Sequence, residues 1–262
     1  MTQTIAIIGA GHMGAAFSAG IQKHMNRVRI NLCDHSSEKL KALDAEHPYT
    51  DPREAIVGAS VILLAVKPQS AKELLTNLSP ALKDQFVISI MAGISISTLQ
   101  KLTRSTRVIR AMPNLPAQVG KGLTGWVASP DVSASERALA KELFIAVGEE
   151  MELEKESLLD ALTPLSGSGP AYFFYLAELL TTKAMKEGFS PTQAALIAKE
   201  TLTGSAALLE ADVRSPSEWR SAVTSKGGTT EAAFKTFQDE HLEDLFFKAV
   251  DRAIARSREL NQ

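Results

Sequence analysis

A glycine-rich turn close to the start of the chain constrains the fold more than any other feature. The hexapeptide Gly9–Gly14 reads G-x-G-x-x-G, follows an apolar strand pattern and opens a helical one. In such a turn Gly9 permits the tight bend, Gly11 lets backbone amides approach a pyrophosphate, and Gly14 lets the helix pack on the strand. A purely structural glycine-rich turn is the alternative. The residues expected to contact a dinucleotide are Gly9, Gly11, His12, Met13 and Gly14.

Short β-branched runs alternate with helical patterns through the first part of the chain. The predicted strands are Thr4–Gly9, Val28–Asp34, Val61–Val66, Phe86–Ile90 and Arg107–Met112, with later strands in Leu123–Ala128 and near Gly148–Leu153. The predicted helices between them are His12–His24, Ser36–Ala45, Gln69–Leu78 and Ser135–Ala146. Near-continuous apolar strands separated by helices predict an α/β fold, a Rossmann-type doubly wound parallel sheet.

After Glu154 the strand signals stop and long amphipathic patterns follow. The predicted helices are Ser157–Leu165, Pro170–Glu187, Pro191–Glu210, Thr229–Phe237 and His241–Arg258. Gly188 is expected to end one helix, and Ser190 with Pro191 to begin the next as N-cap and first helical residue. We therefore expect a dinucleotide-binding domain over residues 1–154 and an all-helical dimerisation and substrate-binding domain over 155–262.

The composition argues against several classes of partner. The chain of 262 residues has a formal net charge of −2 at pH 7 and a pI of about 6.2, and it has no basic run. We therefore expect neither nucleic acid nor a membrane surface as a partner. The single cysteine, Cys33, cannot form an intramolecular disulfide and fits a reducing compartment. With no signal-peptide pattern and no apolar stretch of about 20 residues, the sequence predicts a cytoplasmic protein.

The end of the second predicted strand carries the residues that distinguish NADH from NADPH. Asp34 lies where a carboxylate usually bonds the ribose 2′-hydroxyl, which favours NADH. His35, Ser36 and Lys39 follow at once and instead suit a 2′-phosphate. A third reading is that Asp34 caps the helix at Ser36. The three alternatives stay open, and Asp34, His35 and Ser36 are assigned to the cofactor site.

Four further motifs accompany the glycine turn. They are Ala65–Gln69 (AVKPQ), Val108–Asn114 (VIRAMPN), Ser166–Tyr172 (SGSGPAY) and Val223–Thr230 (VTSKGGTT). Their identity, order and spacing resemble the pyrroline-5-carboxylate reductase family across nearly the whole chain. The resemblance implies reduction of the C=N bond of a small cyclic imino acid, 1-pyrroline-5-carboxylate, to L-proline, the last step of proline biosynthesis. It also implies NADPH as the cofactor, with NADH as the alternative, and a homodimer or higher homo-oligomer with interlocked helical domains.

The resemblance places the substrate site in the last of these motifs. It aligns Thr230 with the family's substrate threonine, which implies a catalytic role in bonding the imine nitrogen and helping to deliver its proton. The residue chemistry agrees, because a helix N-terminus offers free backbone N–H groups to the substrate carboxylate. The residues assigned to substrate binding are Ser225, Gly227, Gly228, Thr229 and Thr230. An ordinary helix cap built from small residues is the alternative.

Two other motifs are expected to line the cofactor. The residues assigned are Ala65, Val66, Lys67, Pro68, Met112, Pro113 and Asn114. The first four follow a strand at the carboxyl edge of the sheet, where doubly wound folds bind ligands. A solvated Lys67 before a turn-forming proline is the alternative there. The last three are expected beside the nicotinamide ribose, with plain loop termination as the alternative.

Four positions depart from the family pattern. Leu115 stands where a threonine usually follows Met-Pro-Asn, and Lys226 stands where a proline usually precedes Gly-Gly. His35 replaces an arginine often found for the cofactor phosphate, and Pro52 an asparagine with the same task. These departures leave two further alternatives, a paralogue that reduces another cyclic imino acid and a non-catalytic dinucleotide-binding regulator. No metal is expected, because Cys33 and His35 have no third ligand near them in sequence.

Overall fold

Strands and helices alternate from the glycine turn onward in the computed structural model, which describes residues 3–82 and 85–260. In chain order they are β1 (Gln3–Ile8), α1 (His12–His24), β2 (Val28–Cys33), α2 (Ser37–Ala42), β3 (His47–Tyr49), α3 (Pro52–Ala55), β4 (Val61–Leu64), α4 (Pro68–Leu78), β5 (Phe86–Ser89), α5 (Ile96–Thr103), β6 (Val108–Pro113), β7 (Gly122–Ala128), α6 (Ala134–Ile145), β8 (Gly148–Glu152) and α7 (Ser157–Leu162). One turn of π-helix, Thr163–Gly167, follows α7 directly.

The eight strands form one sheet in the order β3-β2-β1-β4-β5-β6-β7-β8. All pairs from β3 to β6 are parallel, β7 is antiparallel to β6, and β8 is parallel to β7. The strand order reverses between β1 and β4, which is the switch point at which doubly wound sheets bind ligands beyond their carboxyl edge. The predicted doubly wound α/β fold is thus confirmed, and two strands at one end of the sheet, β7 and β8, run antiparallel to the other six.

Both faces of the sheet are buried, as the apolar strands predict. Along β1, Ile5 and Ile7 belong to one core cluster, and Ala6 and Ile8 belong to the other. All four residues of β4 are buried in the same alternating way. This period of two is expected when helices cover both sides of a parallel sheet. It leaves the strand ends, rather than the strand faces, available for a ligand.

The helices that complete the chain are α8 (Gly169–Lys186), α9 (Pro191–Ala211), α10 (Pro216–Ala222), α11 (Thr229–Asp239) and α12 (Leu242–Leu260). The predicted boundary between α8 and α9 is confirmed, since Gly188 has a φ of +95° and Ser190 forms a capping box with Gln193. The helix at α10 was not predicted, although Ser215 and Glu218 form the same kind of box there.

Contacts divide the chain into two compact units, Met1–Ser168 with Ile254–Gln262, and Gly169–Ala253. Residues 155–168 therefore pack with the sheet, although the change from strand patterns to helical patterns in the sequence comes before them. The predicted division into domains at residues 154 and 155 stays a prediction. Strand β3 and helices α3 and α5 were not predicted because they are short, and β3 in addition contains a proline at the edge of the sheet.

Candidate functional site

The glycine turn connects β1 to α1 at the switch point of the sheet. Gly9 has a φ of +110°, and a Cβ there would lie 2.6 Å from the carbonyl oxygen of Ala65. A Cβ on Gly14 would lie 1.8 Å from the carbonyl oxygen of Gly9, so α1 packs directly on the turn. Neither position has room for a side chain, and this geometry is what a dinucleotide turn requires.

Gly11 shows that the turn has an open anion site. It is the N-cap of α1, has no side-chain cap, and a Cβ on it would have no atom within 4 Å. The first hydrogen bond of the helix runs from the N–H of Ala15 to the carbonyl oxygen of Gly11, at 2.9 Å. Among the described residues, none accepts a hydrogen bond from the N–H groups of His12, Met13 or Gly14. Three backbone donors and the positive end of the helix dipole are therefore available to a phosphate.

Three of the predicted segments meet around one cavity of about 540 Å³. It is lined by Gly9 and Gly11 from the glycine turn, by Asp34 with its neighbours at the end of β2, and by Ala65–Lys67 at the end of β4. Lys67 is the N-cap of α4 and is exposed. The structure thus brings together residues more than 50 positions apart in sequence, on the side of the sheet where Rossmann folds bind nucleotides.

Asp34 is held inside the protein by two backbone donors. Its Oδ2 accepts from the N–H of Ala10 at 2.9 Å, and its Oδ1 accepts from the N–H of Ser36 at 3.1 Å. Only 7% of the side chain is exposed. Burial by itself would raise the pKa of Asp34, but these N–H groups, together with the neighbouring Lys39 ammonium and His35 imidazole, lower it. The carboxylate therefore ties the glycine turn to the start of α2, while a ribose contact stays a prediction.

Lys39 and His35 lie beside Asp34, at the place expected for a 2′-phosphate. Lys39 Nζ and His35 Nδ1 lie 3.5 Å and 3.2 Å from Asp34 Oδ1, and both side chains are well exposed. Ser36 is the true N-cap of α2, accepting from the N–H of Lys39 at 3.3 Å. Its hydroxyl also donates to Glu38 Oε2 at 2.9 Å. The sequence did not identify Glu38 as part of this site. Its negative charge would oppose the binding of a phosphate at this loop.

Cys33, which also lines the cavity, has a buried side chain and no disulfide partner. Burial, followed by the charges of Asp34 and Asp51, raises the pKa of its thiol to about 12. The neutral thiol is a poor nucleophile and a poor metal ligand. Within the described residues, no three His, Cys, Asp or Glu side chains gather as a metal site would require.

None of the described helices combines the length and the apolar composition that a membrane crossing needs.

Asn114 connects two of the sequence motifs. Its Oδ1 accepts from the N–H of Leu123 at 2.8 Å, and its Nδ2 donates to the hydroxyl of Ser166 at 3.0 Å. Ser166 lies in the π-turn, where a Cβ on Gly167 would be 3.0 Å from Cε of Met112. Asn114 therefore holds the end of β6 against the start of the SGSG motif. This contact joins residues 52 apart, and no local pattern predicted it.

A buried arginine anchors the same strand. Arg110 donates to Glu156 at 2.8 Å and to Asp160 at 3.2 Å, and only 6% of its side chain is exposed. Glu156 also accepts from the N–H of Ile96 at 2.8 Å, which links α5 to the pair. A buried charge is tolerated only when it is paired in this way. Arg110 therefore supports the sheet below Asn114, and we assign it no contact with a ligand.

The last motif forms the turn before α11. The N–H of Gly228 donates to the carbonyl oxygen of Ser225 at 3.0 Å, and the N–H of Gly227 donates to Glu231 Oε2 at 2.7 Å. The expectation that both glycines offer free N–H groups to an anion is therefore wrong, because the turn and Glu231 use them. The N–H groups of Thr229 and Thr230, in the first turn of the helix, have no acceptor among the described residues.

A doubly wound sheet with an open glycine turn at its switch point defines a Rossmann-type dinucleotide-binding protein. Two family models match the chain. One, described as pyrroline-5-carboxylate reductase dimerisation, matches residues 156–260, and the other, described as NADP oxidoreductase coenzyme F420-dependent, matches residues 4–93.

Relatives match over the full length. Pyrroline-5-carboxylate reductase of Pseudomonas aeruginosa is 38% identical over 265 residues, with 99% of this chain and 97% of the relative covered. Pyrroline-5-carboxylate reductase 2 of Bacillus subtilis is 33% identical, covering 98% and 95%. The solved structure of a pyrroline-5-carboxylate reductase from Coxiella burnetii covers 100% of both chains at 33% identity, with a TM-score of 0.91. The chain belongs to the pyrroline-5-carboxylate reductase family.

Proposed function

We propose that the chain uses NAD(P)H to reduce the C=N bond of 1-pyrroline-5-carboxylate, giving L-proline. The observation that carries the proposal is the end-to-end match to reductases of this name, which includes the glycine turn and the α11 motif alike. The free N–H groups at the N-terminus of α1 support the proposal that the chain binds the cofactor. Those at the N-terminus of α11 support the proposal that it binds an anionic substrate.

The cofactor fits the first unit. The N–H groups of His12, Met13 and Gly14 would bind the pyrophosphate, and the cavity between the ends of β1, β2 and β4 would receive the adenosine part. Lys67, exposed at that edge with no ion pair among the described residues, is free to neutralise a phosphate. We propose NADPH as the preferred cofactor, with Lys39 supporting this choice and Glu38 opposing it.

The substrate fits the chemistry of the α11 turn. NAD(P)H, when bound, supplies the hydride that reduces the imine carbon. The N–H groups of Thr229 and Thr230, with the hydroxyl of Ser225, would hold the substrate carboxylate. The hydroxyl of Thr230 has no hydrogen bond among the described residues, so it is available to donate to the imine nitrogen. A nitrogen held in this way accepts its proton more readily, and no metal is needed.

The exposed apolar surface of the second unit supports a homodimer. Along α8, Phe173, Leu176 and Leu180 lie at helical spacing and are each about half exposed. Leu245 and Phe247 on α12 are exposed to a similar degree. So large an apolar surface is typical of a protein interface, and the matched family model is named for dimerisation. Assembly beyond the dimer and a cytoplasmic location stay predictions.

The decisive test measures the loss of absorbance of NADPH and of NADH with 1-pyrroline-5-carboxylate, for the wild type and for Thr230→Ala. We expect Thr230→Ala to lower kcat about a hundredfold, as is typical when a proton donor is removed. Thr236→Ala is the matched control, because that hydroxyl bonds a carbonyl oxygen within the same helix, at 3.3 Å. Its kcat should be unchanged.

Other outcomes distinguish the alternatives. Turnover of a different cyclic imino acid, with none of 1-pyrroline-5-carboxylate, would assign the chain to a paralogue. Binding of NADPH without turnover of any cyclic imine would support the regulator. Equal activity of wild type and Thr230→Ala would leave the reaction in place but remove Thr230 from it.

A further inference from the structure

Residues Ser225–Gly228 form a type II turn directly before α11. The N–H of Gly228 bonds the carbonyl oxygen of Ser225 at 3.0 Å, which closes the turn. Gly227, at its third position, has a φ of +76°, whereas Lys226, at its second, is not among the residues with positive φ. This combination of signs defines type II, which requires glycine at the third position and favours proline at the second.

Lys226 leaves this turn without its usual restraint. A proline at the second position presets φ and reduces the conformations available to the open turn, which favours the closed turn by about two- to fivefold. Lysine has no such effect. The N–H of Lys226 has no hydrogen bond among the described residues, so nothing in the structure requires a donor there. Some other contact must hold the turn closed if it is to present donors to a ligand.

Glu231 makes that contact. It is the third residue of α11, and its Oε2 accepts from the N–H of Gly227 at 2.7 Å. A glutamate at this position normally reaches back to the N-cap, but here the N–H of the N-cap, Gly228, is already used within the turn. Glu231 therefore bonds the preceding residue and ties the third position of the turn to the first turn of the helix.

We propose that Glu231 is a positioning residue that restrains the turn Ser225–Gly228, as a proline at position 226 would. It acts through Gly227, so that the free N–H groups of Thr229 and Thr230 keep a fixed direction toward the substrate carboxylate. This inference rests on the proposed function. Glu231 places a negative charge near an anion site, which by itself weakens binding. For Glu231 to favour substrate binding, its bond to Gly227 must contribute more than this repulsion costs.

The test compares Glu231→Ala with Glu231→Gln. We expect Glu231→Ala to raise the KM for 1-pyrroline-5-carboxylate about fivefold, the equivalent of one hydrogen bond, with little change in kcat. Affinity for NADPH, measured by fluorescence titration, should not change, because the glycine turn lies in the other unit. Glu231→Gln keeps an acceptor for Gly227 and removes the charge, so its KM should equal or fall below that of the wild type.

A double-mutant cycle with Lys226→Pro tests the replacement directly. If Glu231 and a proline at position 226 both restrain the turn, Glu231→Ala should raise KM much less when Lys226→Pro is also present. Glu218→Ala is the matched control, since Glu218 is the third residue of α10 and caps Ser215 in a comparable box. Its KM should equal that of the wild type.

Three results would overturn the proposal: an unchanged KM in Glu231→Ala, an equal rise in both backgrounds, or an equal rise in Glu218→Ala. A second readout is independent of turnover. Hydrogen exchange of the amides in residues 225–230 should be faster in Glu231→Ala and slow again in the double variant. If the wild type reduces no 1-pyrroline-5-carboxylate, the proposed function fails, while the exchange data still decide whether Glu231 restrains the turn.

Discussion

Replacement of Asp34 by alanine separates the roles that a carboxylate at the end of β2 can have. Asp34 accepts from the N–H groups of Ala10 and Ser36 and so joins the glycine turn to the start of α2. If this is its role, Asp34→Ala weakens the binding of NADH and NADPH to the same extent, because both use the glycine turn. A ribose ligand would behave differently, since only NADH has a free 2′-hydroxyl.

The size of the effect follows from the two donors. Each buried donor left without an acceptor costs about 1–3 kcal/mol. Ala10 is buried and Ser36 is half-buried, so we expect Asp34→Ala to lower the free energy of unfolding by about 2–4 kcal/mol. If about a third of this loss falls on the open turn, which is about 0.7–1.3 kcal/mol, both dissociation constants rise about three- to tenfold.

Urea unfolding followed by circular dichroism measures the loss, at one fixed protein concentration so that any assembly of the chain affects every variant equally. Asp51→Ala is the matched control. Asp51 also accepts from a backbone N–H, that of Arg53 at 2.9 Å, but it is more exposed and caps only the short helix α3. Its replacement should cost about 1 kcal/mol or less. Equal losses of stability in the two variants, or weaker binding of NADH alone in Asp34→Ala, would refute this role for Asp34.

The pH dependence of stability gives an independent check on Asp34. Its pKa is lowered in the folded protein, so its stabilising contribution is complete above the unfolded value of about 3.9. That contribution is lost as the pH falls through the folded pKa. The difference in unfolding free energy between wild type and Asp34→Ala should therefore be constant from about pH 6 to 8 and shrink below about pH 4. A difference that grows with acid would contradict the lowered pKa.

The remaining predictions concern cofactor choice, the sheet and the glycine turn. Lys39→Met should weaken NADPH about fivefold and leave NADH unchanged, whereas Glu38→Gln should strengthen NADPH binding, both measured by fluorescence titration. Arg110→Met should cost about 3–5 kcal/mol in urea unfolding, because two part-buried carboxylates lose their cation. Gly9→Ala should abolish binding of both cofactors, since its Cβ has no room, while Gly11→Ala should keep the fold and weaken only binding.

Features encoded within a few residues were predictable from the sequence. The glycine turn, the stop at Gly188 and the cap at Ser190 each depend on backbone conformation or on a side chain three positions away, and the structure has them where expected. The alternation of apolar strands likewise predicted the doubly wound sheet, because its period reflects burial on both faces.

What the sequence did not reveal depends on where side chains point in three dimensions. Asp34 could contact ribose or backbone with equal plausibility in sequence, and only the folded turn shows both oxygens engaged. Asn114 and Ser166 meet across a gap of 52 residues. Glu231 stands at the spacing of a capping box, a signal that could have identified it, but its partner is one residue earlier than that rule states.

The composition of the first unit has a consequence for how the chain folds during synthesis. That unit includes Ile254–Gln262, and a Cβ on Gly93 would lie only 2.9 Å from the carbonyl oxygen of Leu260. The ribosome makes the strands of the sheet before it makes the residues that pack beside Gly93. A nascent chain can therefore assemble the strands early, yet it completes this unit only after residues 254–260 have left the ribosome. Ribosome stalling before Ile254 should leave a sheet that is more easily digested by protease than the same sheet in a chain that includes residues 254–260.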